Sequence, residues 1–417
     1  MAGISSPSEF VTTARGIVGT DHIRPASPAD VVDGVHAQWL VEPGTPAEVA
    51  AVLAAADAAR FSVVPRGGGT KLTWGNPPSR ADVILSTQRL NRILEHAAGD
   101  MTATVQAGCT VAAFAQHLAA GGHRLALDPL WPARATIGGI LATHDSGALR
   151  ATFGSLRDHL IGVTVALADG TLAKSGGKVV KNVAGYDLPK LMIGSFGTLG
   201  VIVEATFRLY PLARASQTLR FRTPSREIFP RALTALRQCA PLITALQFEL
   251  TSSQTPEFLL LIEGLPASIE EKTSRVIAAA TQGGLQQTNP PDNPWNSREA
   301  LFEPHSACIC KVALPPSYWP QFADTLVALP ESWKLTGQAL GIGLLQLPAD
   351  AGLPALLAAL RERLGTFEGT LTVLQCPTPL KPQIPVWPDP GTALRPMQRI
   401  KHAFDPHNTL SPGRFLV

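Results

Sequence analysis

Only 16% of the 417 residues are charged, and 35 basic side chains stand against 32 acidic ones, for a formal net charge of +3. So slight an imbalance excludes a polyanion partner held by general electrostatics, nucleic acid included; any anion must be gripped locally. The five cysteines (Cys109, Cys239, Cys308, Cys310 and Cys376) are odd in number, scattered, and without C-x-x-C spacing. That argues against a disulfide framework and against an iron–sulfur cluster held by this chain alone, and predicts reduced thiols in a cytoplasmic protein. No run reaches the roughly 18 apolar residues of a membrane span, and the amino-terminal stretch lacks a basic start followed by an apolar segment. A soluble chain with no direct membrane span is the expectation.

What is present is apolar and rich in turns. Hydrophobic residues make up 45% of the chain, and 36 glycines and 36 prolines point to many ordered turns. The length allows two or three domains. PAEVAAVLAAADAAR (46–60) reads as a surface helix, and FSVVPR and ADVILST (81–87) as strands. TATVQAG (102–108) is a strand before the helical TVAAFAQHLAAGG, and Asp169-Gly170 marks a tight hairpin between LIGVTVA and TLAKSGG. Beyond Leu212, helical FPRALTALRQCA (229–240) and ALLAALRERLG (355–365) alternate with strands TALQFEL and EFLLLIEG, which describes a second α+β unit. The proline-rich run 376–391 reads as an extended connector. Cys308-x-Cys310 puts two thiols on one strand face, where packing is favoured over metal binding.

The sharpest local feature is Pro65-Arg66-Gly67-Gly68-Gly69-Thr70-Lys71 after a strand. Three glycines let backbone amides converge and a bulky anion approach, so the segment reads either as a phosphate nest or as a plain tight turn. It is neither G-x-G-x-x-G opening a helix nor a P-loop, because Leu72 follows Lys71. A second glycine pair lies in Thr136-Ile137-Gly138-Gly139, followed by Thr143, Gly147, Arg150 and Gly154. Two such sites beside hydroxyls suit a long diphosphate ligand. A third small-residue segment, Gly194 to Ile202, precedes another strand where backbone could lie against a flat ring.

PRGGGTKL, ATIGGILAT, FGSLRDHLIGVTVALADG, KVVKNVAGYDLPKLMIGSFGTLGVI and IKHAFDPHNTLSPGRF, in that order, resemble the vanillyl-alcohol-oxidase or p-cresol-methylhydroxylase (PCMH) type FAD flavoproteins. Within that family the KNVAGYDL, GTLGVI and FDP–SPGRF segments are most similar to FAD-binding subunits of bacterial glycolate oxidase. The resemblance implies an α+β fold: an FAD-binding domain of two α+β subdomains over 1–211, an α+β cap over 212–375, and a connector and tail over 376–417 returning to the FAD domain. It implies that Pro65 to Lys71 wrap the FAD diphosphate, and that Thr136 to Gly139, Thr143, Gly147, Arg150 and Gly154 flank diphosphate and ring. Gly197 would lie against the cofactor and Ile202 would reach the adenine side through its backbone. The implied activity is oxidation of glycolate or another 2-hydroxy acid to the 2-oxo acid. The implied partners are a second flavin subunit and an iron–sulfur subunit, through which the complex would sit peripherally at the inner face of the plasma membrane.

Two departures refine this. Members that attach flavin covalently have histidine where this chain has Thr70, which implies non-covalent FAD. Related 2-hydroxy-acid dehydrogenases carry H-x-x-D-G-N-x-H, a spacing found nowhere here; His305 stands alone, and no metal is expected. Oxidising a hydroxy acid needs a cation for the carboxylate and an acceptor for the hydroxyl proton. Arg150, Lys178, Lys181 and Tyr186 supply the residue types, although surface lysines and a core tyrosine explain them equally. Two further readings stay open: a stand-alone alcohol or 2-hydroxy-acid dehydrogenase, and a non-catalytic relay or scaffold subunit.

Overall fold

The computed structural model describes residues 7–177, 187–303, 306–329 and 332–417. The chain divides into two compact units: Met1–Ser146 with Gly154–Leu212 and Asp389–Val417, and Gly147–Phe153 with Ala213–Pro388. The tail thus joins the first unit from Asp389 onward, and the short segment 147–153 goes with the second.

The first unit holds two main sheets. In one, Ile23–Pro25, Trp39–Val41, Val83–Ser86 and Val63–Arg66 lie in that order, the last three parallel. Parallel strands need crossovers, and Pro46–Ala58 supplies one. This helix starts cleanly because Thr45 caps it through the Glu48 amide, Pro46 opens it, and the Glu48 carboxylate accepts from the Gly44 amide. It is shorter than the 46–60 expectation and not merely a surface helix. Val49, Ala50, Val52, Leu53, Ala55 and Ala56 are buried, since so alanine-rich a helix can pack closely against the strands.

The other sheet is antiparallel, in the order Leu172–Gly176, Leu160–Ala166, Val201–Arg208, Thr102–Gln106, Ile93–Ala97. The hairpin turns at Asp169-Gly170, where Gly170 has φ +87° and the Asp169 carboxylate accepts from the Thr171 amide. Phe114, Leu118, Ile140, Leu141, Val163 and Phe207 form the core beneath.

The tail is fastened by a buried cation. Lys401, on the helix Leu394–Phe404, donates from Nζ to the Asp405 carboxylate at 2.5 Å, the Thr198 carbonyl at 2.9 Å and the Leu410 carbonyl at 3.0 Å. Asp405 in turn accepts from the amides of Thr409 and Leu410. Leu410 pairs in parallel with Val63, so the tail extends the first sheet beside Val63–Arg66.

The second unit is built on one eight-stranded antiparallel sheet. Its order is Gln286–Thr288, Ala215–Arg222, Glu257–Gly264, Ala245–Thr251, Lys334–Gln338, Ile342–Pro348, Ala307–Ala313, Thr370–Gln375. Phe229–Gln238, Pro266–Gln282, Trp319–Val327 and Leu353–Gly365 contribute apolar faces to the same core as the sheet. Phe229, Phe248, Phe258 and Trp319 interlock there, and Phe248 covers Gly337, where a Cβ would lie 2.1 Å from the ring. Cys308 and Cys310 are fully buried with their sulfurs 3.6 Å apart, as core packing requires.

Removing one member of a buried ion pair strands the other, at a cost of about 3–5 kcal/mol. Lys401→Met should therefore lower the melting temperature of the chain markedly, while Lys401→Met with Asp405→Leu should recover part of the loss. Thermal melts of the three proteins measure this; equal melting of Lys401→Met and wild type would show that the bond does not hold the tail.

Candidate active site

A cleft of about 760 Å³, counting its open mouth, lies within the first unit. Its walls come from the loop 64–72, Thr87, the helix Ile137–Thr143, the segment 196–202 and Arg414. Pro65, Arg66, Gly67, Gly68, Gly69, Thr70, Lys71, Thr136, Gly138, Gly139, Thr143, Gly197 and Ile202 all line it.

The two glycine segments approach each other closely beside it. A Cβ on Gly68 would stand 1.8 Å from the Arg134 carbonyl oxygen, and one on Gly67 would stand 2.1 Å from Thr136 Oγ1. Gly69 turns away with φ +70°. In this conformation the amides of Gly67, Gly68, Gly69 and Thr70 have no protein acceptor among the described residues. Four unspent donors in a row form a concave anion site. The second glycine pair behaves differently. The Ile137 amide goes to the Cys109 carbonyl, that of Gly138 to Ala107, and that of Gly139 to Thr136 Oγ1. Gly138 and Gly139 therefore contribute closeness rather than donors.

The cations of the cleft are tied to groups behind it. Arg66 pairs with Asp30 at 2.8 Å, and Arg24 reaches the other oxygen of the same carboxylate. Burial pushes the Asp30 carboxyl up, but hydrogen bonds from Arg24, from the Ser27 amide and hydroxyl, and from Arg66 outweigh it and hold the group well below its ordinary 3.8. Lys71 pairs with Asp145 at 3.2 Å, both side chains buried, and its ammonium lies 5.5 and 5.3 Å from the ring centres of Trp74 and Trp131. Arg414 donates to the carbonyls of Leu72 at 2.9 Å and Trp74 at 2.6 Å. Burial lowers its guanidinium to about 10, with Asp33 opposing, so it stays charged at neutral pH. Among the described residues no carboxylate lines the cleft. Val64, Leu72, Phe196, Val201 and Ile202 give it an apolar part, and Phe196 stacks on Phe415 with ring centres 6.1 Å apart.

Other expected residues are not among the described lining of the cleft. Ile137 is fully buried in the core and Gly154 belongs to the Ser155–Asp158 helix cap, where a Cβ would meet the Asp158 carboxylate at 2.7 Å. Gly147 and Arg150 belong to the second unit. Lys178, Lys181, Tyr186 and the lone His305 lie outside the described residues. The lining residues not named individually as cofactor contacts from the sequence are Val64, Leu72, Thr87, Ala142, Phe196, Gly200, Val201 and Arg414. All of them lay inside segments already read as strand or motif: Val64 in FSVVPR, Leu72 in PRGGGTKL, Thr87 in ADVILST, Ala142 in ATIGGILAT, Phe196, Gly200 and Val201 in Gly194 to Ile202, and Arg414 in SPGRF.

The cleft suits a diphosphate joined to flat rings: unspent amides and threonine hydroxyls for the phosphates, apolar side chains for the rings, and no opposing carboxylate. Solved structures share the fold of this chain. It matches 4-ethylphenol oxidase from Gulosibacter chungangensis with a TM-score of 0.73 at 16% identity, over 99% of this chain and 98% of that one. It matches alkyldihydroxyacetonephosphate synthase with a TM-score of 0.74 at 16% identity, over 99% and 86%. A p-cresol methylhydroxylase structure gives 0.73 at 15%, over 99% and 97%. The chain thus has the p-cresol-methylhydroxylase-type fold.

Residues 37–176 match the family described as FAD binding domain, and this part of the chain is an FAD-binding domain. Curated relatives include the glycolate oxidase subunit GlcD of Bacillus subtilis, 36% identical over 180 residues, 43% of this chain and 38% of that protein. D-lactate dehydrogenase of Archaeoglobus fulgidus is 37% identical over 45% of this chain and 42% of its own length. D-2-hydroxyglutarate dehydrogenase of Xanthomonas citri is 38% identical over 47% and 41%. The matches span about two fifths of the length of these relatives.

Two predictions follow from the geometry. Gly68→Ala should abolish flavin retention as completely as Gly68→Asp, because the Cβ alone collides with the Arg134 carbonyl; flavin-to-protein absorbance ratios after gel filtration decide, and a fully yellow Gly68→Ala protein would contradict the close approach. Asp30, with its pKa depressed in the fold, contributes stability that is present above its ordinary 3.8 and lost as pH falls through the lower folded value. Asp30→Asn should cost about 1–3 kcal/mol at pH 7, a gap that narrows as pH falls below about 3.8 in paired urea titrations.

Proposed function

We propose that the chain is an FAD-dependent oxidoreductase acting on the CH–OH group of a small 2-hydroxy acid, as a subunit of a glycolate oxidase complex. The observation that carries the reading is the row of four amides at Gly67–Thr70 without a protein acceptor among the described residues, in a cleft with an apolar wall and no carboxylate among its described lining residues. The relatives named glycolate oxidase subunit, D-lactate dehydrogenase and D-2-hydroxyglutarate dehydrogenase support the substrate class.

In this reading FAD is held without a covalent bond. The 67–70 amides and the Thr143 side hold the diphosphate, and Phe196, Val201 and Ile202 line the part that receives a ring. Bound FAD supplies a two-electron acceptor. Oxidation of glycolate to glyoxylate removes two electrons and two protons, one carried with the electrons as hydride from Cα and one from the hydroxyl to a protein base. The tied cations Arg66, Lys71 and Arg414 keep the 64–74 loop rigid and balance phosphate charge without needing to move. No helix of the described residues is long and apolar enough to cross a membrane. With no cluster spacing among the cysteines, electrons pass to an iron–sulfur partner, and the complex sits at the cytoplasmic face of the membrane. A second reading makes this chain an electron relay whose partner flavin subunit oxidises the substrate; the missing H-x-x-D-G-N-x-H spacing favours it.

The deciding measurement is the visible spectrum of the purified chain, before and after anaerobic glycolate. A flavin band near about 450 nm that bleaches with glycolate is the expected result. A yellow protein that does not bleach, alone or with D-lactate, selects the relay reading, and a colourless chain that takes up no added FAD overturns both. Acid precipitation should release all flavin to the supernatant; colour left in the pellet would refute non-covalent binding.

A further inference from the structure

Away from the cleft, three imidazoles of the first unit converge from three elements. His96 stands on the strand Ile93–Ala97, His117 in the last turn of the helix Val111–Ala120, and His123 on the short strand His123–Arg124. His96 Nε2 is 3.2 Å from His123 Nδ1. The ring centre of His96 is 5.2 Å from that of His123 and 5.6 Å from that of His117. Gly121 leaves the room for this, since a Cβ there would lie 2.6 Å from His96 Cε1.

The spacing between those nitrogens fits a hydrogen bond and equally a shared ion. Two imidazole nitrogens each about 2.0–2.1 Å from a metal lie roughly 2.9–3.4 Å apart for angles between square and tetrahedral. A purely structural pair would be satisfied by one hydrogen bond and would have no need of a third histidine. His117 is exposed, so its side chain can swing at little cost toward the half-buried pair.

We propose that His96 and His123 form a chelating site for a borderline divalent transition cation of the Zn2+, Ni2+ or Cu2+ class, with His117 completing it by side-chain rotation and water filling the remaining positions. No group of three such ligands stands assembled among the described residues, so the third bond forms on binding. Imidazole donors exclude Mg2+ and Ca2+, which require oxygen. The nitrogens must be unprotonated to bind. Burial, then the neighbouring charges of His123 and His117, lower the pKa of His96 from its ordinary 6.5, so the neutral form is the resting one at neutral pH. The proton of the His96–His123 hydrogen bond moves to the far nitrogen of its ring or to solvent as the ion enters. Once bound, the ion staples strand, helix and turn, which raises stability by mass action. The inference is independent of the flavin reading.

The test is calorimetric titration of ZnCl2 alone, and separately NiCl2 alone, into the tag-free full-length chain after chelator treatment, with a melting curve at each ratio. One ion per chain in the micromolar range and a rise of a few degrees in melting temperature are expected. His96→Gln and His123→Gln should each weaken binding at least tenfold, His117→Gln by less, and the half-buried His22→Gln control, on a separate segment, should bind as wild type. Unchanged binding in both His96→Gln and His123→Gln, or no saturable binding in wild type, overturns the proposal. Imidazole nitrogen NMR of the unmutated chain provides a readout that does not depend on variant folding: Zn2+ must shift the resonances of His96 and His123, and shifts confined to other histidines refute the site.

Discussion

The carbonyl oxygen of Arg134 occupies the space that any side chain on residue 68 would need. Everything in the cleft depends on that exclusion. Because two stretches of main chain touch there, the loop after Val63–Arg66 is held in a conformation in which the 67–70 amides find no protein acceptor among the described residues. Unspent donors are costly wherever water is excluded, so such a loop persists only if it is braced from outside. Asp30 braces it through Arg66, Asp145 through Lys71, and Arg414 through the carbonyls of Leu72 and Trp74. The charges of the site thus act on the protein first and on a ligand through the field they leave.

Much of the architecture is written in local pattern. Alternation in TATVQAG, the Asp169-Gly170 turn and the glycine run after FSVV each report a backbone requirement that no tertiary contact is needed to recognise. The cleft was therefore legible wherever backbone shape mattered, from Pro65 to Thr70 and at Thr136, Gly138 and Gly139. It was not legible where shape is supplied from a distance. Lys71 is the right residue type for a phosphate, yet only the structure shows that Asp145 and two tryptophans surround it. Phe196 shows no motif beyond its glycine neighbours, and its stacking on Phe415 joins segments that no spacing rule connects. Ile137 sits within a glycine motif but obeys helical periodicity and turns into the core.

The two glycine sites also separate two uses of the same residue. At Gly67–Gly69 the missing side chain frees donors; at Gly138, where a Cβ would meet that of Ala107 at 2.9 Å, it permits packing while the amide is consumed by the Ala107 carbonyl. Sequence cannot tell these apart, because the distinction lies in which partner the amide finds.

The tail carries a consequence for the life of the chain. Arg414 bonds to Leu72 across 342 residues, and Lys401 reaches Thr198 across 203. During synthesis the glycine loops emerge long before the residues that hold them in place, and contacts of such high sequence separation form late. A chain that stops short of Arg414 would have every glycine of the 67–69 loop and still lack the bracing that Arg414 gives it. Formation of the braced loop would then report that synthesis has passed Arg414, a checkpoint set by contacts made late in the chain.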